Sequence, residues 1–129
     1  MKNVLFFFVL FLTFENCLGP KKNGVAEYGK SPQDLIFIDE VMKLSLNEAI
    51  TKLGQPFYQE KFLLRENMPG QKIILQNVIP DSLYKNKKLY IQELSWHRDS
   101  VNNLTLWYQE KNKAWVPIQH SLWMDSWEF

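Results

Sequence analysis

A short helix with both of its ends encoded in the sequence constrains this 129-residue chain more than any other feature. Ser45 and Glu48 have the spacing of a capping box, in which each side chain accepts a hydrogen bond from the other residue's backbone N–H. Gly54 and Pro56 end the helix, because glycine favours the C-terminal position and proline cannot continue the turn. The apolar stripe between these ends consists of Leu46, Ala49, Ile50 and Leu53. Eight residues do not hold a helix alone in water, so the helix Leu46–Leu53 must pack against other structure.

The remainder of the chain predicts strands on which this helix can pack. Apolar runs indicate strands at Phe57–Leu64, Lys72–Ile79 and Lys88–Trp96, whereas the run Asp34–Met42 is ambiguous between helix and strand. We therefore predict an α+β fold, with one or two short N-terminal helices packed on one face of an antiparallel sheet of about four or five strands.

The segment Asn103–Ile118 predicts a hairpin. If Glu110–Asn112 is its three-residue loop, Trp107 faces Trp115 on one side of the sheet. The opposite side then carries an aliphatic set, which consists of Leu104, Leu106, Val116 and Ile118. Pro117 lacks an N–H, which predicts an edge strand or a position that does not donate to the ladder.

The N-terminus predicts a signal peptide over residues 1–16. Residues 4–14 (VLFFFVLFLTF) are apolar but too few to span a bilayer as a helix. Cys17, the single cysteine of the chain, lies just past this run, and residues 14–17 (FENC) resemble part of a bacterial lipobox. The resemblance implies that Cys17 carries a lipid such as palmitate. Ordinary secretion, and retention of the leader as a buried helix or strand, are the alternatives.

Composition and charge narrow the classes of partner. Residues 17–33 are rich in Gly, Pro, Lys and Asn and predict a flexible tether, and residues 34–129 predict a single α+β domain. The 15 basic and 14 acidic residues nearly cancel, which argues against a nucleic-acid partner. One cysteine excludes an internal disulfide and a thiolate-rich zinc site. The chain has no glycine loop of the phosphate-binding type, so we expect no cofactor. His97 and Asp99 have no third ligand at a suitable spacing, so we expect no metal.

Two sets of residues are candidates for function. Tryptophan is concentrated between residues 96 and 127, and Trp107 and Trp115, paired on the outer face of the hairpin, are the candidate contacts for a partner. The alternative is that these indoles complete the core. His97 and Asp99 are two apart and would share one face of a strand, which allows an acid–base pair. The alternative for His97 is a polar residue at a strand end.

The order of leader, tether, capped helix and strands resembles small envelope lipoproteins of the SmpA/OmlA (BamE-like) type and the related β-lactamase-inhibitor-like fold. The residues that carry the resemblance are Leu46–Pro56, in which the helix ends in the Leu53–Pro56 motif LGQP. The resemblance implies an α+β layer fold.

The leading hypothesis is a non-enzymatic, lipid-anchored envelope lipoprotein that binds a protein or a glycan through Trp107 and Trp115. A scaffold or assembly factor that stabilises an outer-membrane complex is the alternative, and a small hydrolase that uses His97 and Asp99 is a remote one. The expected location is the bacterial cell envelope, on the periplasmic or outer surface of a membrane that the N-terminal lipid contacts. Release as a soluble secreted or periplasmic protein is the alternative, and the oligomeric state is left open.

Overall fold

The computed structural model describes residues 30–126 of the chain. The predicted signal peptide, the predicted lipid attachment at Cys17 and most of the predicted tether lie outside the described residues. No helix within residues 30–126 is long and apolar enough to cross a membrane.

Two capped helices open the described part of the chain, α1 at Pro32–Val41 and α2 at Leu46–Leu53. The bounds of α2 and its capping box are those predicted, and Gly54 ends it with a φ of 85°. The ambiguous apolar run is α1, which begins within the stretch assigned to the tether. A second capping box explains its start, because Ser31 and Asp34 exchange bonds of 3.2 and 2.8 Å between side chain and backbone.

Four antiparallel strands form one sheet in the order β1-β2-β3-β4, which confirms the predicted α+β class. The strands are β1 at Tyr58–Leu63, β2 at Tyr90–His97, β3 at Asn102–Lys111 and β4 at Ala114–Met124. Pro117 lies in β4, an edge strand, as its missing N–H predicted.

The predicted strand at Lys72–Ile79 is wrong. Gly70–Asn77 forms a 3-10 helix, and a one-turn helix, α3 at Asp81–Lys85, follows it. Within this segment Leu75 and Ile79 are buried, four residues apart as on one side of a helix, while Ile73 and Val78 are exposed. The apolar run is therefore divided between core and solvent with a helical period, which the composition of the run alone does not distinguish from a strand.

The sheet is packed on both faces. On the helix face, α1 and α2 cover a core made of Val41, Leu46, Ala49, Leu94, Trp96, Leu104, Leu106 and Tyr108. On the 3-10 face, the 3-10 helix and α3 cover a second core made of Phe62, Leu64, Leu75, Ile79, Tyr84, Ile91 and Trp107. The 3-10 helix that packs on this second core also forms one wall of the candidate site.

The register of the β3–β4 hairpin differs from the predicted one. Asn112 and Lys113 alone form the turn, with φ values of 52° and 63°, so that Trp115 pairs with Glu110 and not with Trp107. Two left-handed residues define a type I′ turn, whose twist suits a two-residue hairpin. The shift is by an odd number of residues, so it reverses the face on which each side chain of β4 lies near the turn. Ile118 is the extra residue of a bulge and packs on the 3-10 face, away from Leu104 and Leu106.

Candidate functional site

The two candidate tryptophans lie on opposite faces of the sheet. Trp107 is 0% exposed in the core of the 3-10 face, and its indole N–H donates to Glu93 Oε2 at 2.9 Å. Trp115 is half-buried on the helix face, where Lys61 Nζ lies 5.4 Å from its ring centroid. The predicted solvent-facing position of Trp107 is wrong, because the 3-10 helix and α3 cover its face of the sheet. The two-residue turn places Trp115 on the other face. The two indoles therefore do not offer a shared contact surface.

His97 and Asp99 also have separate partners. His97 Nδ1 lies 2.8 Å from Asn103 Oδ1, and Asn103 in turn donates its amide N–H to Asp125. This orientation of the amide directs an acceptor, Asn103 Oδ1, at the His97 ring. Asp99 accepts from the backbone of the turn after it, at 2.8 and 2.9 Å. The expected acid–base pair is not assembled, and the described residues hold no cluster of metal-ligating side chains.

The structure instead forms a cavity of about 300 Å³ on the 3-10 face. We call it the sheet cavity. Strand residues form its floor, the start of the 3-10 helix forms one wall, and its lining consists of Phe57, Tyr58, Pro69, Gln71, Lys72, Glu93, Ser95, Thr105 and Trp123.

Strand pairing explains why the floor is polar. Tyr58, Ser95, Thr105 and Ser121 are direct neighbours across the four strands and therefore point to the same face. Ser95 Oγ and Thr105 Oγ1, both buried, share a hydrogen bond of 2.7 Å. The indole N–H of Trp123 donates to Thr105 Oγ1 at 2.9 Å. The floor thus presents hydroxyl groups whose positions are set by the sheet.

Two carboxylates and one amine meet at one end of the cavity, where Lys72 and Glu93 line it and Glu60 lies next to Lys72 outside the lining. Glu60 and Glu93 are paired across β1 and β2, and Lys72 Nζ lies 2.5 Å from Glu60 Oε2 and 3.8 Å from Glu93 Oε2. The Tyr58 hydroxyl also donates to Glu60, at 2.6 Å. Glu60 therefore has two close donors, and Lys72 is drawn toward it and away from Glu93.

The two carboxyl groups differ in acidity for this reason. The hydrogen bond from Lys72 holds the pKa of Glu60 below its ordinary value. Burial raises the pKa of Glu93, and the hydrogen bond from Trp107 opposes this only in part. The hydrogen bond that the Tyr58 hydroxyl itself donates to Glu60 raises the pKa of Tyr58 to about 12, so this hydroxyl remains a donor at neutral pH. Glu93 is therefore the less acidic of the two carboxyl groups.

Aromatic rings form the mouth of the cavity. Phe57 stacks on His97 with ring centroids 4.1 Å apart and meets the edge of Trp123 at 6.5 Å. Phe57 and Tyr58 are both exposed although they are large and aromatic. Gln71, in the opposite wall, has a buried Oε1 without a hydrogen-bond partner in the described chain. The cavity thus combines the apolar surface of aromatic rings with an oxygen atom, Gln71 Oε1, that can accept a further hydrogen bond.

Sequence reasoning missed this site, although one part of it has a signal in the sequence. Glu93, Ser95 and His97 alternate along β2 with the buried Leu94 and Trp96, and this alternation is a visible signal of a polar sheet face. The wall that contains Lys72 has no such signal, because the apolar run Lys72–Ile79 predicted a strand where the structure has a 3-10 helix.

No protein-family model matches the chain, and neither a curated protein nor a solved structure matches it. The resemblance to SmpA/OmlA lipoproteins therefore stays a prediction.

Proposed function

We propose that this chain is a non-enzymatic glycan-binding module of the cell envelope and that the sheet cavity is its binding site. The observation that carries the proposal is the junction of exposed aromatic rings with a floor of hydroxyl and carboxylate groups. A sugar ring has an apolar C–H surface that packs on aromatic rings and hydroxyl groups that hydrogen-bond to a fixed polar floor. Binding sites of this kind are concave and orient the ligand through a few placed polar groups.

The cavity also fits binding better than hydrolysis. A glycoside hydrolase needs two carboxyl groups that act independently on opposite sides of the scissile bond. Glu60 and Glu93 are paired on neighbouring strands and both face the same lysine, Lys72, and only Glu93 lines the cavity. Their arrangement favours a ligand that is held and released unchanged.

Two tyrosines of nearly equal exposure test the site. Tyr58 lines the cavity and is 42% exposed, while Tyr90 is 44% exposed and lies beside Lys61 on the helix face. We expect Tyr58→Ala to weaken binding of a β-1,4-linked tetrasaccharide about tenfold and Tyr90→Ala to leave it unchanged. Titration calorimetry with tetramers of glucose, N-acetylglucosamine and glucosamine measures this. Equal losses in the two variants, or no binding of any tetramer, would contradict the proposal.

The proposed membrane anchor is tested separately. A lipid on Cys17 would hold the domain at a membrane, and its support is the apolar run and the position of the cysteine in the sequence. Cells that express the full chain are labelled with radioactive palmitate and compared with the Cys17→Ala variant. We expect label in the parent chain alone, and an unlabelled parent chain would indicate free secretion.

A scaffold role is the second candidate, and one observation favours it. Ile73, Val78 and Leu83 are exposed on the layer formed by the 3-10 helix and α3. Val78 and Leu83 line a groove that Pro117 and Ile118 of β4 close on the other side. Exposed apolar patches of this kind are typical of protein contacts. A stoichiometric protein that co-purifies in detergent with the full chain, and is lost with Val78→Asp but kept with Tyr58→Ala, would support this role.

A further inference from the structure

One oxygen of Glu93 has capacity to bind a ligand. The side chain of Glu93 is 14% exposed, and its contacts with Trp107 and Lys72 are both made by Oε2. Oε1 has no hydrogen-bond partner in the described chain, yet it is not among the unpartnered side-chain atoms that are shut off from solvent. Because Glu93 lines the sheet cavity, we place this oxygen where a ligand can donate to it.

The charges around Glu93 favour a cation. Lys72 is the one cationic side chain in the lining of the cavity, and Glu60 holds it at 2.5 Å while the ring of Phe62 lies 4.4 Å from its Nζ. The single positive charge of Lys72 therefore lies near two carboxylates, and the group of Glu60, Lys72 and Glu93 carries a net negative charge when both carboxyl groups are ionised. Taking a carboxylate out of water is costly unless a partner compensates it. A positively charged donor next to Glu93 would supply that compensation.

The surroundings of Glu93 favour a sugar as the carrier of that charge. The hydroxyls of Ser95 and Thr105 lie along the same floor, and the rings of Phe57 and Tyr58 border the opening. A volume of about 300 Å³ is at the lower end for ligand sites and suits a single ring with its substituents. An alkyl amine would use the carboxylate and the rings but would make no hydrogen bonds to the row of hydroxyls.

We propose that the sheet cavity binds a sugar unit that bears a free primary ammonium group, with the Glu93 carboxylate as its counter-ion. The inference rests on the proposed glycan-binding function and deepens it. The ammonium group donates to Glu93 Oε1, the sugar hydroxyls bond to the Ser95 and Thr105 row, and the C–H face packs on the aromatic rings.

Three tetrasaccharides of equal length and linkage test the inference. The full-length chain in detergent is titrated at about pH 6 with the β-1,4 tetramers of glucosamine, N-acetylglucosamine and glucose. We expect the glucosamine tetramer to bind at least about tenfold more tightly than the other two, since acetylation removes the charge and the glucose tetramer lacks the nitrogen. Equal affinity for the three tetramers would overturn the inference and leave the glycan-binding function standing. Failure of all three would overturn both.

A pair of isosteric variants locates the charge. Glu93→Gln keeps the shape of the side chain and an acceptor for Trp107, and we expect it to reduce the preference for the glucosamine tetramer to within about threefold. Glu110→Gln makes the same charge change at an exposed position outside the cavity and should keep the full preference. If Glu110→Gln reduces the preference as much as Glu93→Gln, the effect is general electrostatics and the inference is wrong. Even if Glu93→Gln fails to fold, the comparison of the three tetramers in the parent chain still tests whether the cavity prefers a sugar with a free ammonium group.

Discussion

Replacement of Trp107 by Phe separates the structural role of this residue from the surface role that the sequence suggested. Trp107 is fully buried, and its indole N–H donates to the carboxylate of Glu93 at 2.9 Å. A hydrogen bond to a charged group contributes about 1.5–3 kcal/mol. The smaller ring of Phe also leaves a void that costs about 1 kcal/mol. We therefore expect Trp107→Phe to lower the free energy of unfolding by about 3 kcal/mol at pH 7.

Trp115→Phe is the matched control for this change. Trp115 is half-buried, and its indole N–H has no hydrogen-bond partner within residues 30–126. Phe retains an aromatic face for Lys61, whose Nζ lies 5.4 Å from the ring centroid. Contacts of this kind at partly exposed sites contribute about 0.5–1 kcal/mol, most of which Phe keeps. We expect a loss of about 0.5 kcal/mol or less.

Urea denaturation followed by far-UV circular dichroism measures both variants, with an unchanged m-value as the sign of a pure stability effect. The measurement is repeated at pH 4, below the ordinary pKa of 4.5 for a glutamate. Glu93, whose pKa is raised by burial, is then largely protonated, so the part of the penalty due to a charged acceptor should shrink. A Trp107→Phe variant within about 0.5 kcal/mol of the parent protein, or a penalty that grows at pH 4, would refute the reasoning.

Four further perturbations test the N-terminal cap of α2, two positions with positive φ and the titration of Glu93. Ser45→Ala removes the N-terminal cap of α2 and should cost about 1 kcal/mol in urea denaturation, whereas no change would show that the cap is dispensable. Gly54→Ala should destabilise by about 1–3 kcal/mol through backbone strain alone, because φ is 85° and a Cβ there would meet no atom within 4 Å. Lys113→Gly should stabilise by about 1 kcal/mol, since its φ of 63° suits glycine, and a thermal melt that moves downward would contradict this. The stability of Glu93→Gln relative to the parent protein should increase as pH rises above 4.5. The reason is that burial raises the pKa of Glu93 in the folded state, so ionisation of Glu93 destabilises the parent protein and not the variant. A constant difference in stability from pH 4 to 8 would exclude this.

The elements that the sequence predicted correctly are those that follow local rules. The helix α2 was recovered with both ends, because its caps join atoms within four residues and do not depend on the rest of the fold. Strands β1 and β2 were found to within two residues of their ends from their apolar runs. The box of Ser31 and Asp34 obeys the same rule as that of Ser45, so the start of α1 was open to the same reasoning.

The site depended on the tertiary structure. The conformation of Asn112 and Lys113 set the hairpin register, and a change of one turn residue moves Trp115 to the other face, because side chains alternate along a strand. The segment with Gln71 and Lys72 was apolar enough for either a strand or a helix, and only its packing over the 3-10 face makes it the wall of a cavity.

The sequence by itself thus determined the α+β class, the capped helix and the approximate strands, since each follows from propensities and hydrogen bonds between near neighbours. The tertiary structure alone brought Glu60, Lys72 and Glu93 together, residues that are 12 to 33 positions apart and whose meeting depends on strand register and on the layer above the sheet. Because register and packing are cooperative properties of the whole fold, the meeting of these three charged side chains had no local signature in the sequence.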